Sequence, residues 1–323
     1  MLTITRYSEI VNEHLARISY PAHPQGLYDP IKYSLEAGGK RIRPVLTLAV
    51  CDALCGSPDK AVNQALGVEM YHNFTLLHDD LMDHSPVRRS RPTVYVKWDE
   101  RTAILSGDAM LTMAGMLMRG GEACNMDAAA LGSVLDLYDR TAMEVYEGQQ
   151  LDMDFEARKD VKVEEYLEMI RLKTSVLLGC ACQLGAIMAG ASKDVQLSMY
   201  RYGEQLGLAF QMQDDYLDTF GCADTFGKPI GGDILNEKKT WLLISAMQRA
   251  NGQDLIDALA IEEPQAKIDA VREIYVELGL DKECREKVTE YSTEAIKALP
   301  ESLTSEAREF FISLARNAET RAK

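Results

Sequence analysis

No run of strict apolar/polar alternation long enough for a strand lies between turn signals in these 323 residues, which excludes a protein built on sheets. Cysteine offers no framework either. Seven residues at irregular spacings, such as Cys51 with Cys55 and Cys180 with Cys182, give neither an even disulfide set nor a zinc-ligand pattern, and they favour core thiols in a reducing compartment. The amino terminus, MLTITRYSEIVNEHLARISY, lacks a basic stretch followed by an apolar run, so no secretory signal is read there and a cytoplasmic protein is expected. The most apolar window, SVLLGCACQLGAIMAG at 175–190, is shorter than a membrane span and carries Gln183; it predicts a buried helix and no stable membrane insertion. Positive charge is also short. With 35 Lys and Arg against 50 Asp and Glu, the net charge of -15 repels backbone phosphates and argues against nucleic acid as a partner.

What remains is globular and helical. Hydrophobic residues make up 46% of the chain and recur at helical spacing over most of its length, so the expected fold is an all-α bundle. Loops are marked by Pro21 to Pro24, Gly56 to Pro58, Ser85 to Pro92, Gly120 with Gly121, and Gly221 to Gly232. No low-complexity linker separates two halves, and one domain over 1–323 is expected, with motifs confined to about 30–245. From Glu262 onward the chain is rich in Glu and Lys, which predicts solvated helices packed outside the core over 262–323.

The chemistry is concentrated in one internal echo: HDDLMD at 78–83 returns as QDDYLD at 213–218. Apolar helical sequence leads into both copies, which places each near the end of a helix. On a helix, Asp79 stands one turn below Asp83 and Asp214 one turn below Asp218, while Asp80 and Asp215 fall off that axis. Two opposed carboxylate pairs suit magnesium, which prefers oxygen ligands and is commonly held by one or two carboxylates together with substrate phosphate oxygens. Neither copy has the Asp-x-Asp-x-Asp-Gly spacing of a calcium loop. Either copy alone would read as a solvated acidic helix end; two copies, each embedded in apolar sequence, do not. The complement is basic: GGKRIRP at 38–44, Arg88 with Arg89, Lys173 in RLKTS, Lys228 in FGKPIGGD, and Lys238 with Lys239. Arginine forks and mobile lysines together suit a diphosphate that arrives and leaves.

These elements, GGKRIRP, HNFTLLHDDLMD followed by RR and RPT, LKTS, FQMQDDYLD and GKPIGGDI with NEKKT, resemble in order and approximate spacing the trans-prenyl diphosphate synthases, or polyprenyl synthetases, of the short-chain type. The resemblance implies an isoprenoid synthase fold with a deep central cavity, a homodimer, and head-to-tail joining of isopentenyl diphosphate to an allylic diphosphate. It also implies magnesium, three ions with substrate bound, with Asp79, Asp83 and Asp214 as main ligands and Asp80, Asp215 and Asp218 supporting them. Arg88, Lys173 and Lys228 then resemble ligands of the allylic diphosphate. Lys40, Arg43, His72 and Arg89 resemble the pocket for isopentenyl diphosphate, Lys238 helps close the site, and Thr174 and Gln211 stand along the developing allylic cation. The segment 227–232 resembles a lid.

Product length is expected to be set beneath the first motif, where Phe74 lies five residues before Asp79, Thr75 obstructs little and Tyr71 lies nearly a turn deeper. An aromatic at Phe74 alone leans toward the twenty-carbon geranylgeranyl product over the fifteen-carbon farnesyl one. Ser90 stands where the family has Gly, so the loop is strained if that position takes positive φ. Tyr95 stands where His is common. Two alternatives share parts of this pattern: a class I terpene cyclase, against which Lys40, Arg43 and Arg89 argue, and a catalytically silent subunit, against which both intact motifs argue.

Overall fold

Apolar residues at helical spacing fold here into α-helices. The computed structural model describes residues 1–120, 126–221, 230–249 and 252–320. In chain order come α1 (Ile4–Ala16), α2 (Gln25–Glu36), α3 (Ile42–Cys55), α4 (Val62–Met82), α5 (Val94–Lys97), α6 (Glu100–Met118), α7 (Ala128–Ala157), α8 (Val163–Ile170), α9 (Val176–Met188) and α10 (Lys193–Phe220). Further helices span Gly232–Leu235, Trp241–Arg249, Gly252–Leu259, Pro264–Glu277, Leu280–Ala298 and Ser305–Thr320. Among the described residues the strands are two residues long, Val87–Arg88 and Arg91–Pro92, paired antiparallel with Arg88 opposite Arg91.

The helices gather into two compact units, Met1–Arg140 with Cys180–Met199, and Thr141–Gly179 with Tyr200–Lys323. In the first, α3 is apolar on every side, with Val45, Leu46, Leu48, Ala49 and Val50 fully buried. Its N-terminus is fixed by Arg41, whose φ of 52° turns the chain and whose guanidinium is buried. That guanidinium donates to Glu69 Oε1 on α4 at 2.5 Å, to the Leu35 carbonyl at 2.5 Å and to Asn12 on α1 at 3.3 Å. Asn73 donates to the same Glu69 oxygen at 2.9 Å, so the buried carboxylate is met from two sides. One basic residue of GGKRIRP is therefore a structural pin between helices.

The apolar window at 175–190 is the buried helix α9, with Val176, Cys180, Ala181, Cys182 and Leu184 inaccessible and Gln183 only 3% exposed. In the second unit the core joins Phe155, Tyr166, Met212, Trp241 and Leu242 to Val271, Tyr275, Leu280, Cys284 and Val288. The Glu- and Lys-rich helices Pro264–Glu277 and Leu280–Ala298 contribute Ile268, Val271, Tyr275, Leu280, Cys284 and Val288 to this core.

Removing one partner of a buried ion pair strands the other charge. Glu69→Ala is expected to lower unfolding free energy by about 3–5 kcal/mol, read by denaturant titration; a loss under about 1 kcal/mol would show that Arg41 finds water or another acceptor.

Candidate active site

Helix α4 stops where the first acidic motif does. Asp83 is its C-cap, His84 follows with φ 50°, and the backbone N–H groups of Ser85 and His84 reach back to the carbonyls of Asp80 and Leu81 at 2.9 and 3.3 Å. This is a Schellman closure with histidine in the place where glycine is usual. Three aspartates consequently stand at the electronegative end of the helix dipole, where carboxylates are disfavoured and cations favoured. Asp80 turns inward and is 5% exposed, whereas Asp83 is exposed on the rim. Burial, opposed by Arg88 and reinforced by Asp79 and Asp83, pushes Asp80 up to about 6.

The loop after α4 folds back to neutralise that inner carboxylate. Thr93, buried at 3%, donates its hydroxyl to the Ser85 carbonyl at 2.9 Å and its N–H to the Pro86 carbonyl at 3.1 Å, closing the loop at its base. Within it the two-stranded ribbon presents Arg88, whose Nε donates to Asp80 Oδ1 at 2.6 Å and whose Nη2 lies 3.5 Å from Asp79 Oδ2. The turn residues Arg89 and Ser90 have φ of 52° and 60°. Two consecutive positive φ values are what a two-residue hairpin of matching twist requires, and Asn-Gly satisfies them with less strain than Arg-Ser. The strain that glycine would relieve at Ser90 is present.

Arg89 lies over the glycines of GGKRIRP. Its guanidinium donates to the Gly38 carbonyl, and a Cβ on Gly39, whose φ is 130°, would lie 2.7 Å from its Nη2. Arg43 on α3 stands 3.3 Å from His72 Nε2 on α4. Burial first, then the charges of Arg43, Arg89, Arg88 and Arg41, hold the His72 imidazole well below its usual range, so it stays neutral. Arg43, His72 and Arg89 are thus brought into one basic cluster, with Lys40 exposed on the adjoining loop. Arg91 is turned aside, stacked 3.9 Å over the Tyr33 ring. A small pocket is lined by Tyr33, Asn73, Asp80, Arg88, Arg89 and Arg91, among others.

The second motif repeats the plan in the other unit. Helix α10 ends at Phe220, two residues beyond Asp218, and again the middle aspartate is the buried one: Asp215 is 4% exposed. Tyr166 on α8 donates to Asp215 Oδ2, and Gln211 Nε2 donates to Asp215 Oδ1 at 3.1 Å. Burial, then the charge of Asp233, push Asp215 up to about 7, and Tyr166, Gln211 and Lys238 oppose that rise. Asp218 accepts the Asp233 N–H at 2.9 Å and its carbonyl accepts from Gly231 at 2.7 Å, tying the end of α10 to the helix Gly232–Leu235. Lys228 and the segment 227–229 lie outside the described residues.

Lys173 and Thr174 sit in a single wide π turn, Arg171–Ser175, between α8 and α9. The turn is approached closely by Gly148 of α7, where a Cβ would lie 2.7 Å from both Lys173 Cα and the Leu172 carbonyl carbon. Such turns often mark functional sites. Lys173 Nζ donates to Asp152 on α7 at 2.5 Å, and Thr174 Oγ1 donates to Gln211 Oε1 at 3.3 Å.

No three His, Cys, Asp or Glu side chains among the described residues converge tightly enough to hold an ion by themselves. The donor set nevertheless fits magnesium: carboxylates at electronegative helix ends can supply one or two oxygens each and leave the remaining positions to water and phosphate. The sequence model of one family, polyprenyl synthetase, matches residues 24–278. The chain belongs to the polyprenyl synthetase family. It is 36% identical over 316 residues to the short chain isoprenyl diphosphate synthase of Methanothermobacter thermautotrophicus, covering 97% of this chain and 95% of the relative. It is 38% identical over 252 residues to the geranylgeranyl diphosphate synthase of Methanosarcina mazei, covering 77% of each. A crystal structure of a geranylgeranyl pyrophosphate synthase superposes with a TM-score of 0.93 at 41% identity, over 100% of both chains. The all-α isoprenoid synthase fold follows.

Sequence reasoning missed three residues that this polyprenyl synthetase uses to hold its site. Asp152 is one of several acidic residues in QQLDMDFE, Arg41 reads like its basic neighbours, and Tyr166 carries no charge to draw attention. Gly148 and Gly132 share helix α7, and they are expected to respond oppositely to alanine. Gly132 has nothing within 4 Å of an added Cβ, so Gly132→Ala should gain about 0.5–1 kcal/mol, whereas Gly148→Ala forces the π turn away and should lose about 1–3 kcal/mol in denaturant unfolding. A gain at both positions would show that the turn is not clamped.

Proposed function

We propose that this polyprenyl synthetase joins isopentenyl diphosphate head-to-tail to allylic diphosphates and releases a short-chain prenyl diphosphate, fifteen to twenty carbons long, with a lean to geranylgeranyl diphosphate. The protein is a prenyltransferase. The observation that carries the reading is the repeated plan of the two acidic motifs: each stands at the C-terminal end of a helix with its middle carboxylate already met from inside, Asp80 by Arg88 and Asp215 by Tyr166 and Gln211. The outer carboxylates then serve a bound cation. The naming of relatives as geranylgeranyl diphosphate synthases supports the product.

Asp79, Asp83 and Asp214, supported by Asp80, Asp215 and Asp218, would hold magnesium, three ions with substrate present. When bound, magnesium supplies Lewis-acid neutralisation of the charge gathering on a departing diphosphate. Arg88, Lys173 and Lys228 grip the allylic diphosphate. Lys173 Nζ is held beside the turn by its contact with Asp152 at 2.5 Å. Lys40, Arg43, neutral His72 and Arg89 hold isopentenyl diphosphate, and the short run of Gly38 and Gly39 lets Arg89 reach this pocket. As the allylic carbon–oxygen bond breaks, the oxygens of Thr174 and Gln211 face the cation without capturing it. The double bond of isopentenyl diphosphate attacks, and the released diphosphate takes the proton that restores an allylic product. Lys238 and the segment 227–232 close the site against water.

The protein works as one synthase domain and as a cytoplasmic homodimer. The outward face of α6, with Ile104 48%, Leu105 61% and Met116 59% exposed, supports self-association.

Phe74 forms the floor beneath the first motif. It is 5% exposed, with its ring 5.5 Å from Tyr71 and 4.9 Å from His78, and Tyr71 in turn lies 5.6 Å from Tyr138. Thr75 turns its hydroxyl back to the His72 carbonyl and adds little obstruction. One isoprene unit is comparable to one helical turn, about 5 Å, so opening this floor should admit at least one more unit. Mass analysis of products from dimethylallyl, geranyl and farnesyl diphosphates with isopentenyl diphosphate tests both claims. Wild type is expected to stop at the twenty-carbon chain, and Phe74→Ala to make longer ones while keeping the first condensation. An unchanged distribution from an active variant moves the floor to Tyr71; no condensation from any primer removes the function.

A further inference from the structure

We infer that Tyr166 is a positioning residue for the condensation proposed above, setting through Asp215 and Gln211 the direction in which Thr174 presents its hydroxyl oxygen. Four residues of one unit form an unbroken chain of hydrogen bonds, Tyr166 to Asp215, Gln211 to Asp215, and Thr174 to Gln211. The chain has a polarity. Each link is directed: the Tyr166 hydroxyl donates to Asp215 Oδ2, Gln211 Nε2 donates to Asp215 Oδ1, and the Thr174 hydroxyl donates to Gln211 Oε1. With its amide nitrogen on Asp215, Gln211 turns its oxygen the other way. Its Oε1 is therefore directed at Thr174, and the single hydroxyl hydrogen of Thr174 is committed to it. What Thr174 can offer elsewhere is lone pairs, the electron-rich side suited to a developing carbocation.

Tyr166 anchors this polarity because it is immobile. It is 2% exposed, packs in the core with Met169, Ile170 and Met212, and lies on α8 immediately before the π turn that carries Thr174. Without the phenol, Asp215 loses one of its two fixed donors and is free to rotate. Gln211 then has no single preferred orientation, and the Thr174 hydrogen can turn toward the substrate.

The inference rests on the proposed condensation, and the experiment separates the two. Steady-state kinetics are measured for wild type, Tyr166→Phe, Thr174→Val and the double variant, with geranyl diphosphate and isopentenyl diphosphate. Tyr166→Phe keeps the ring and its packing, and is expected to lower kcat about 10- to 100-fold, the usual cost of losing a group that orients a primary contact, with both KM values within about twofold of wild type. The double variant should be no slower than Thr174→Val alone, since Tyr166 acts through Thr174. Wild-type kcat in folded Tyr166→Phe, with or without a lowered melting temperature, overturns the inference. Losses that multiply in the double variant overturn it as well, since they give Tyr166 an effect independent of Thr174. Failure of wild type to condense would overturn the reaction itself.

Discussion

Carboxylates crowded at the negative end of a helix dipole set the terms for everything around them. Asp79, Asp80 and Asp83 close α4, and Asp218 lies in the last turn of α10 with Asp214 and Asp215 one turn earlier; an exposed acid in a last turn costs about 0.3–1 kcal/mol before mutual repulsion is counted. The fold answers in two ways. The inner acid of each motif is met by the protein itself, Asp80 by Arg88 and Asp215 by Tyr166 with Gln211, while Asp83 is exposed on the rim and Asp79, Asp214 and Asp218 are half-buried. A cation bound to the outer acids would relieve the remaining repulsion, which is why a magnesium-diphosphate ligand suits the arrangement better than any neutral one.

Strain marks the same places. The five non-glycine residues with positive φ among the described residues, Arg41, His84, Arg89, Ser90 and Glu237, border GGKRIRP, the first acidic motif, the arginine pair and NEKKT. A residue in this conformation costs about 1–3 kcal/mol and persists only where its surroundings fix it. Arg41 is fixed by Glu69 and Leu35, and His84 by the Schellman closure. Each bend aims a neighbouring side chain: Arg88 at Asp80, Arg89 at Gly38, Arg43 at His72.

Much of this was legible in the sequence because it depends on local spacing. The positions of both motifs at helix ends, the off-axis places of Asp80 and Asp215, the burial of 175–190 and the strain at Ser90 all follow from periodicity or from the demands of one turn. What was illegible depends on partners far along the chain. Arg41 and Arg43 are two residues apart in the same basic cluster, yet one pins the core to Glu69 and the other meets His72, and nothing local separates them. Asp152 and Tyr166 acquire meaning only once α7, α8 and α10 are packed.

The central claim is that each acidic motif holds magnesium for the diphosphate substrate proposed above. It is tested most directly by calorimetric binding of geranyl thiolodiphosphate, whose carbon–sulfur bond resists ionisation, to wild type, Asp79→Ala and Asp214→Ala with and without magnesium. Each variant is expected to bind about 10- to 100-fold more weakly than wild type when magnesium is present and no more weakly than wild type when magnesium is absent. Wild-type affinity in either variant at the same magnesium concentration would contradict a magnesium site at that motif.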